Sequence, residues 1–78
     1  MKLTEFVLTK TIGSNAIDWE YFADVSVTTG WLVKKTVRRQ IHRTFTGSWH
    51  FTDTGGFTPD CQAEALERAY RAREAFRA

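Results

Sequence analysis

The sequence predicts an α+β fold, in which an antiparallel β-meander of three to four strands carries one C-terminal α-helix packed on one face. Two observations predict it. Between Trp19 and Asp53, apolar and polar residues alternate in segments separated by Thr28-Thr29-Gly30 and Thr46-Gly47-Ser48, which is typical of strands joined by hairpin loops. After Thr58-Pro59 the apolar spacing becomes helical. A chain of 78 residues has room for one domain with a small core.

The elements follow in order along a single domain that spans residues 1–78. We expect strands at about residues 3–12, 19–27, 31–45 and 49–52, and a helix at about residues 59–77. In the first strand Phe6, Leu8 and Ile12 lie on one side, and Gly13-Ser14-Asn15 end it with residues that tolerate turn dihedrals. Gly30 is expected in the left-handed position of a three-residue hairpin loop.

Three-residue loops at both glycine-containing positions predict a register for the sheet. The predicted opposite pairs are Val27–Trp31, Val25–Val33, Tyr21–Val37 and Phe45–Trp49 on the apolar face, and Asp24–Lys34 and Glu20–Arg38 on the other face. Such cross-strand pairs contribute roughly 0.2–1 kcal/mol each. The same register predicts a core of aromatic side chains under the helix: Trp19, Tyr21, Trp31, Phe45, Trp49 and Phe51.

A competing interpretation makes the third strand a helix. Val33, Val37, Ile41 and Phe45 recur every four residues with basic residues between them, which also fits an amphipathic helix with a basic outer face. The many β-branched residues and the flanking loops favour the strand.

The C-terminal helix has recognisable start signals. Thr58 is a good N-cap, Pro59 suits the first helical position, and Asp60 complements the helix dipole. Glu64–Arg68 and Glu67–Arg71 are i,i+4 ion pairs in the favourable order. The predicted apolar stripe, which would bury the single cysteine, consists of Cys61, Ala65, Leu66, Ala69, Ala72 and Phe76.

The net charge of +2 is unevenly distributed. Residues 34–50 carry five Lys or Arg and no acid, a sum of +5, while residues 1–33 sum to −2 and residues 51–78 to −1. A basic block of this kind favours a polyanionic partner, and nucleic acid is one candidate. No signal peptide or membrane span is visible, so we expect no membrane partner and a location in the cytoplasm of a bacterial or phage-infected cell.

The candidate interaction surface lies mainly on the outer sheet face. Its members are Phe22, Leu32, Lys34, Thr36, Arg38, His42 and Arg43. Phe22 and Leu32 form a small exposed apolar patch, which is a feature of partner sites. Arg43, like Lys35 and Arg39, alternates onto the core side of the strand.

Catalytic and metal signatures are weak. His42 and His50 fall diagonally across the second hairpin without a third ligand, and Gly55-Gly56 lacks the spacing of a phosphate loop. Cys61 has no histidine fixed near it, and no carboxylate pair is placed for acid–base chemistry. We therefore expect no enzyme, no cofactor and no metal.

Several blocks of the last fifty residues resemble short uncharacterised proteins of tailed phages and prophages. These blocks are Thr29-Gly30-Trp31, Gly47-Ser48-Trp49-His50-Phe51-Thr52-Asp53-Thr54-Gly55, Phe57-Thr58-Pro59 and Ala63-Glu64-Ala65-Leu66-Glu67-Arg68-Ala69-Tyr70. They are structural blocks, so the resemblance implies a shared fold and defines no functional residues. Three strands followed by a helix is more loosely similar to DNA-binding domains of the AP2 type and of some integrase N-termini.

Three functions follow as expectations. The first is a small non-enzymatic interaction module of phage or prophage type that binds a host or phage protein through the exposed sheet face or an open sheet edge. The second is a nucleic-acid-binding module that uses Lys34, Arg38, His42 and Arg43 of the basic third strand. The third is a self-associating structural protein, in which a second copy completes the small core.

Overall fold

The computed structural model describes residues 1–13, 19–59 and 61–77 and confirms the predicted fold class. Its elements are β1 (Lys2–Ile12), β2 (Glu20–Thr29), β3 (Lys35–Thr44), β4 (His50–Phe51) and α1 (Gln62–Arg77). The strands form one antiparallel sheet in the order β1-β2-β3-β4, and α1 covers one face of it. The predictions for Ser14, Asn15 and Asp60 lie outside the described residues.

Strand β1 is irregular, which changes the side chains it contributes to the core. Its pairing with β2 shifts between Thr4 and Val7 and again between Leu8 and Lys10. At the first shift Glu5 adopts a φ of 54°, a left-handed conformation that is uncommon for a residue with a side chain. Because of this bulge, Leu3 and Phe6 both reach the core. The predicted alternation was therefore wrong at Ile12, which pairs with Glu20 and is exposed.

The register between β2 and β3 differs from the predicted one by six positions. Val27 lies opposite Val37, where position 31 was predicted. Asp24 lies opposite Gln40 and Glu20 opposite Thr44, so the predicted ion pairs Asp24–Lys34 and Glu20–Arg38 were wrong. An even shift leaves every side chain on its original face, which is why the face assignment survives the error in register.

The consequence is a longer hairpin connection than predicted. Residues 30–34 join β2 to β3, so Trp31 and Val33 lie outside the core that was predicted to contain them. Gly30 has a φ of +105°, and a Cβ built there would come within 2.1 Å of the carbonyl oxygen of Val33. The requirement for glycine at this position is confirmed, in a different loop.

The second hairpin also has a longer connection than predicted, residues 45–49. His42 pairs with His50 and Ile41 with Phe51, so the predicted Phe45–Trp49 pair was wrong and the histidines are directly opposite rather than diagonal. Trp49 precedes β4 and is fully buried, and its carbonyl accepts the N–H of Thr58 at 3.1 Å.

A single hydrophobic core lies between the sheet and the helix. Its buried members are Leu3, Phe6, Tyr21, Ala23, Val25, Val27, Ile41, Trp49, Phe51 and Ala63. Of the six aromatic side chains predicted here, Tyr21, Trp49 and Phe51 are buried, whereas Trp19, Trp31 and Phe45 are exposed. Phe6 and Trp49 form a T-shaped pair with ring centroids 5.5 Å apart, an arrangement that aromatic pairs favour.

Helix α1 begins later and faces the sheet with different residues than predicted. It starts at Gln62, whose Oε1 accepts the N–H of Leu3 at 2.9 Å, and not at Pro59. The side that faces the sheet consists of Ala63, Leu66, Glu67 and Tyr70. Of the predicted stripe, Cys61, Ala65, Ala69, Ala72 and Phe76 are exposed.

The helix is rotated so that Leu66, Glu67 and Tyr70 face the sheet beside the small Ala63, while Ala65, Ala69 and Ala72 stay exposed. The ring of Tyr70 packs on Phe6 with centroids 5.6 Å apart, and the Glu67 carboxylate accepts the indole N–H of Trp49. Alanine loses little when it stays in water, whereas an aromatic ring gains much more from burial.

Candidate interaction surface

The structure distributes the seven predicted surface residues over three places. Phe22, Thr36, Arg38 and His42 lie on the open sheet face, which α1 does not cover. Leu32 and Lys34 lie in the connection between β2 and β3. Arg43 lies on the opposite side of the sheet, facing the helix, which agrees with its predicted alternation but separates it from the other six.

Arg38 is held on the open face by the bulge in β1. Its Nη1 donates to the backbone carbonyl of Glu5 at 2.8 Å and to the hydroxyl of Ser26 at 3.0 Å. The Glu5 carboxylate accepts the Ser26 hydroxyl at 2.7 Å and lies 3.7 Å from Arg38. The left-handed conformation of Glu5 is therefore supported by a network that spans β1, β2 and β3.

A second cluster surrounds His42, further along the same face. Its Nε2 lies 2.9 Å from Glu20 and its Nδ1 lies 3.2 Å from Nε2 of His50. The ring of Phe22 packs on His42 with centroids 4.6 Å apart, and Lys10 lies over Phe22. These contacts, together with the packing of Phe22, fix the orientation of both imidazole rings.

The histidine cluster does not amount to a metal site. Glu20 lies beyond the far nitrogen of His42, away from His50, and so cannot join the two imidazoles around one ion. Across residues 1–13, 19–59 and 61–77, no three His, Cys, Asp or Glu side chains are grouped to hold a metal.

Arg39 is paired at the edge of the sheet. Its Nη2 donates to Asp53 at 2.8 Å, and its guanidinium lies 3.7 Å from the ring centroid of Phe51. The hydrogen bond from Arg39 lowers the pKa of the Asp53 carboxyl, so that Asp53 stays ionised through the neutral range.

Arg43 belongs to a polar cluster beneath the helix. Its Nη2 donates to Glu67 at 2.7 Å and its Nε donates to the same carboxylate at 3.1 Å, a bidentate geometry. Arg71 donates to Glu67 at 2.9 Å, which confirms the predicted i,i+4 pair, and the indole N–H of Trp49 donates at 3.2 Å. The guanidinium of Arg43 also lies over the ring of Tyr21.

Glu67 is the most enclosed carboxylate among the described residues, with 7% of its surface exposed. Burial raises the pKa of this carboxyl, but the hydrogen bonds from Arg43 and Arg71 lower it by more than burial raises it. The pKa of Glu67 therefore lies below the ordinary value. Glu67 therefore remains ionised and holds β3 to the helix.

The basic run of β3 is thus largely neutralised inside the molecule. Arg38, Arg39 and Arg43 each contact a carboxylate, contributed by Glu5, Asp53 and Glu67 respectively. Lys34 and Lys35 make no ion pair with any residue in the described ranges. The local sum of +5 therefore overstates the charge that a partner would meet.

The connection between β2 and β3 is the most exposed apolar segment among the described residues of the sheet. Trp31, Leu32 and Val33 expose 88%, 87% and 85% of their surfaces, and Lys34 and Lys35 follow them directly. We call residues 31–35 the hairpin tip. The sequence predicts Leu32 and Lys34 on the outer surface, which agrees with their exposure. It predicts Trp31, Val33 and Lys35 on the core side, and this was wrong because β3 begins at Lys35 and not at residue 31.

Two open clefts flank the helix. One has a volume of about 590 Å³ and lies between β1 and the end of α1, where Phe6, Tyr70 and Phe76 line it. The other has a volume of about 370 Å³ and is lined by Phe57 and Glu64, among others. Cys61 also lines the second cleft and is exposed, so the prediction of a buried structural cysteine was wrong.

Comparisons with protein-family models, curated proteins and solved structures returned no match for this chain. The phage and prophage resemblance therefore stays a prediction. In the part of the chain that the structure describes, no helix is long and apolar enough to cross a membrane.

Proposed function

We propose that this chain is a small non-enzymatic interaction module of phage or prophage type that binds a host or phage protein through the hairpin tip and the adjoining open sheet face. The exposure of Trp31, Leu32 and Val33 is the observation that carries the proposal. Three large apolar side chains in succession, all in water, are a feature of surfaces that meet a partner. The cytoplasm of a bacterial or phage-infected cell is part of this proposal.

The tip is presented by a stiff support. Strands β2 and β3 pair over ten positions without a register shift, from Glu20 opposite Thr44 to Thr29 opposite Lys35. A regular ribbon of this kind restricts the tip more than a free loop would, and a restricted site loses less conformational entropy on binding.

Thr36 and Arg38 extend the proposed site along the open face. Thr36 lies next to the tip and shares a hydrogen bond of 2.8 Å with Thr28, and Arg38 follows two residues further along β3 on the same face. His42 lies seven positions from Lys35 along β3, about 23 Å at the usual strand rise, and Phe22 of β2 pairs with it, so both belong to a separate part of the face.

The alternative of nucleic-acid binding has less support. Of its four proposed residues, Arg38, His42 and Arg43 each contact a carboxylate within the molecule, and Arg43 faces the helix. A phosphate backbone would have to compete with those internal pairs. A salt series on duplex DNA and on RNA tests this alternative, because phosphate contacts make log affinity fall steeply with log salt concentration.

The alternative of self-association through a sheet edge also has less support. The edge strand β1 contains two register shifts, and such bulges hinder the addition of another strand. At the other edge β4 pairs over only two residues, and the following loop returns to bond with it, as the N–H of Phe51 reaches the carbonyl of Gly56 at 2.8 Å. Sedimentation at two concentrations tests this alternative.

The two described carboxylates with a shifted pKa, Glu67 and Asp53, favour binding over catalysis. Glu67 is occupied by Arg43, Arg71 and Trp49, and its lowered pKa makes it a poor general acid near neutrality. Asp53 likewise has a lowered pKa and pairs with Arg39.

An affinity capture from bacterial lysate, with and without nuclease, tests the proposal. The bait variants are the wild type, the double variant Trp31→Ser/Leu32→Ser, and the control Phe76→Ser, whose side chain is 94% exposed but lies at the end of the helix. We expect a nuclease-resistant protein that the wild type and the control retain and the double variant loses. A nuclease-sensitive partner, or equal retention by all three baits, would contradict the proposal.

A further inference from the structure

We infer that the partner of the hairpin tip is a protein with an apolar groove whose rim carries carboxylates, so that Trp31 and Leu32 insert into the groove while Lys34 and Lys35 meet its rim. This inference rests on the proposed function and specifies the partner. It combines two observations: the exposed apolar side chains at positions 31–33, and the two lysines that directly follow them and have no ion-pair partner within residues 1–13, 19–59 and 61–77.

The charge around the tip is positive. Residues 25–52 contain no Asp or Glu, and Lys2 pairs with Thr28 at the same end of the sheet. The nearest carboxylate along β1 is that of Glu5, which is already engaged by Ser26 and Arg38. A partner that desolvates this end must supply negative charge, because a cation left without a counter-charge in an interface is costly.

The same charge argues against a dimer in which the tips of two copies meet. Two tips in contact would bring together two sets of Lys34 and Lys35, and like charges facing each other across an interface are unfavourable. A symmetric tip-to-tip contact is therefore disfavoured, and we assign the groove to a different protein.

The backbone of the tip favours a protein over a lipid surface. Residues 31–33 lie outside the strands, and their N–H and C=O groups make no hydrogen bond with other described residues. A hydrocarbon layer cannot satisfy such groups, whereas a protein groove offers its own donors and acceptors. A nucleic acid would engage the lysines and can stack a base on Trp31, but it would leave Leu32 and Val33 in water.

Substitutions at Trp31 test the apolar groove, and substitutions at Lys34 and Lys35 test the acidic rim. A tryptophan anchored in a groove is the type of residue that dominates an interface, so Trp31→Ser should weaken Kd by at least about thirtyfold. Reversal of the rim charges in Lys34→Glu/Lys35→Glu should weaken Kd by about tenfold or more at low salt, and the loss should shrink as salt screens the charges.

The experiment uses the full chain and the protein identified in the capture described above, once purified. Kd is measured by calorimetry at two salt concentrations for the wild type, Trp31→Ser, Lys34→Glu/Lys35→Glu and the control Arg68→Glu, an exposed charge on the helix away from the tip. Far-ultraviolet dichroism and urea unfolding confirm that each variant is folded. We expect the control to bind like the wild type.

The outcomes distinguish the inference from the proposed function. If a nuclease-resistant partner binds but the Lys34→Glu/Lys35→Glu variant retains its affinity, the acidic rim is wrong while the binding function stands. Binding to vesicles of equal phosphatidylglycerol and phosphatidylcholine that Trp31→Ser abolishes would replace the protein groove by a lipid surface. Concentration-dependent self-association that Trp31→Ser abolishes would overturn the choice of partner, and the absence of any captured protein would overturn both proposals.

Discussion

The two ends of the basic run in β3 have opposite surroundings. At the C-terminal end of the run, Arg43 faces the helix, where the Glu67 carboxylate accepts hydrogen bonds from Arg43, Arg71 and Trp49. At the near end Lys34 and Lys35 are exposed and have no ion-pair partner among the described residues.

This difference shows that a run of like charges need not be a binding surface as a whole. The carboxylates that neutralise Arg38, Arg39 and Arg43 come from β1, from the loop after β4 and from α1, which are distant in sequence. The sheet brings them into contact with one strand. If the tip binds a partner as proposed, substitutions within about ten residues of one another should affect stability at one end of the run and binding at the other.

The largest effect on stability is expected at the Arg43 end. Glu67→Gln removes the charge shared by Arg43, Arg71 and Trp49 while keeping the shape, and it leaves Arg43 beneath the helix without a counter-charge. Breaking a buried pair in this way should lower the free energy of unfolding by about 3–5 kcal/mol. Urea unfolding measures the effect, and Trp31→Ser serves as the matched variant at the tip. If Trp31→Ser lowers the free energy of unfolding more than Glu67→Gln does, the structural role lies at the tip and not at Arg43.

The acid dependence of stability provides a second test of the same end. The folded pKa of Glu67 lies below its ordinary value of 4.5, so the carboxyl stabilises the fold fully above that value and loses its contribution as pH falls toward the folded pKa. The stability difference between wild type and Glu67→Gln should therefore be largest near pH 7 and shrink in acid. Unfolding measured at a series of pH values gives the result, and a difference independent of pH would argue against the ion pair.

An intermediate effect is expected where the tip joins its strands. Gly30→Ala places a Cβ at a φ of +105° and 2.1 Å from the carbonyl oxygen of Val33, so the loop must rearrange. Strain of this kind costs about 1–3 kcal/mol. The control is Gly56→Ala, whose Cβ would meet its nearest atom at 3.5 Å. If Gly30→Ala has the same free energy of unfolding as the control and keeps its captured partner, the left-handed conformation at Gly30 does not hold the tip in place.

The smallest effect is expected for the exposed pair at the middle of the run. Asp53→Asn breaks the ion pair with Arg39, but Asp53 is open to solvent and Arg39 keeps its contact with Phe51. Exposed pairs of this kind add little to stability. Thermal unfolding at low and high salt should show no resolved change relative to wild type, and a large loss would place Asp53 with Glu67 as a structural anchor.

Much of the fold could be predicted from residue patterns that act locally. Alternation placed Tyr21, Trp49 and Phe51 in the core and Arg43 on the helix side, and a glycine was required at position 30. The candidate site was found only in part. Leu32 and Lys34 were predicted, but Trp31 was assigned to the core although three apolar residues followed by two lysines are visible in the sequence.

Sequence alone determined the strand and helix types, the face on which each β2 and β3 side chain lies, and the glycine of the hairpin, because these depend on neighbouring residues and on the two-residue period of a strand. Tertiary structure alone decided the register of β3 and the rotation of the helix. A shift of the register by an even number of residues leaves every side chain on the same face of the sheet. Alternation therefore cannot select among registers that differ by six positions. The choice depended on packing and charge contacts between distant segments, such as Phe6 with Tyr70 and Arg43 with Glu67. The same choice left residues 31–35 outside the core, where they are available to a partner.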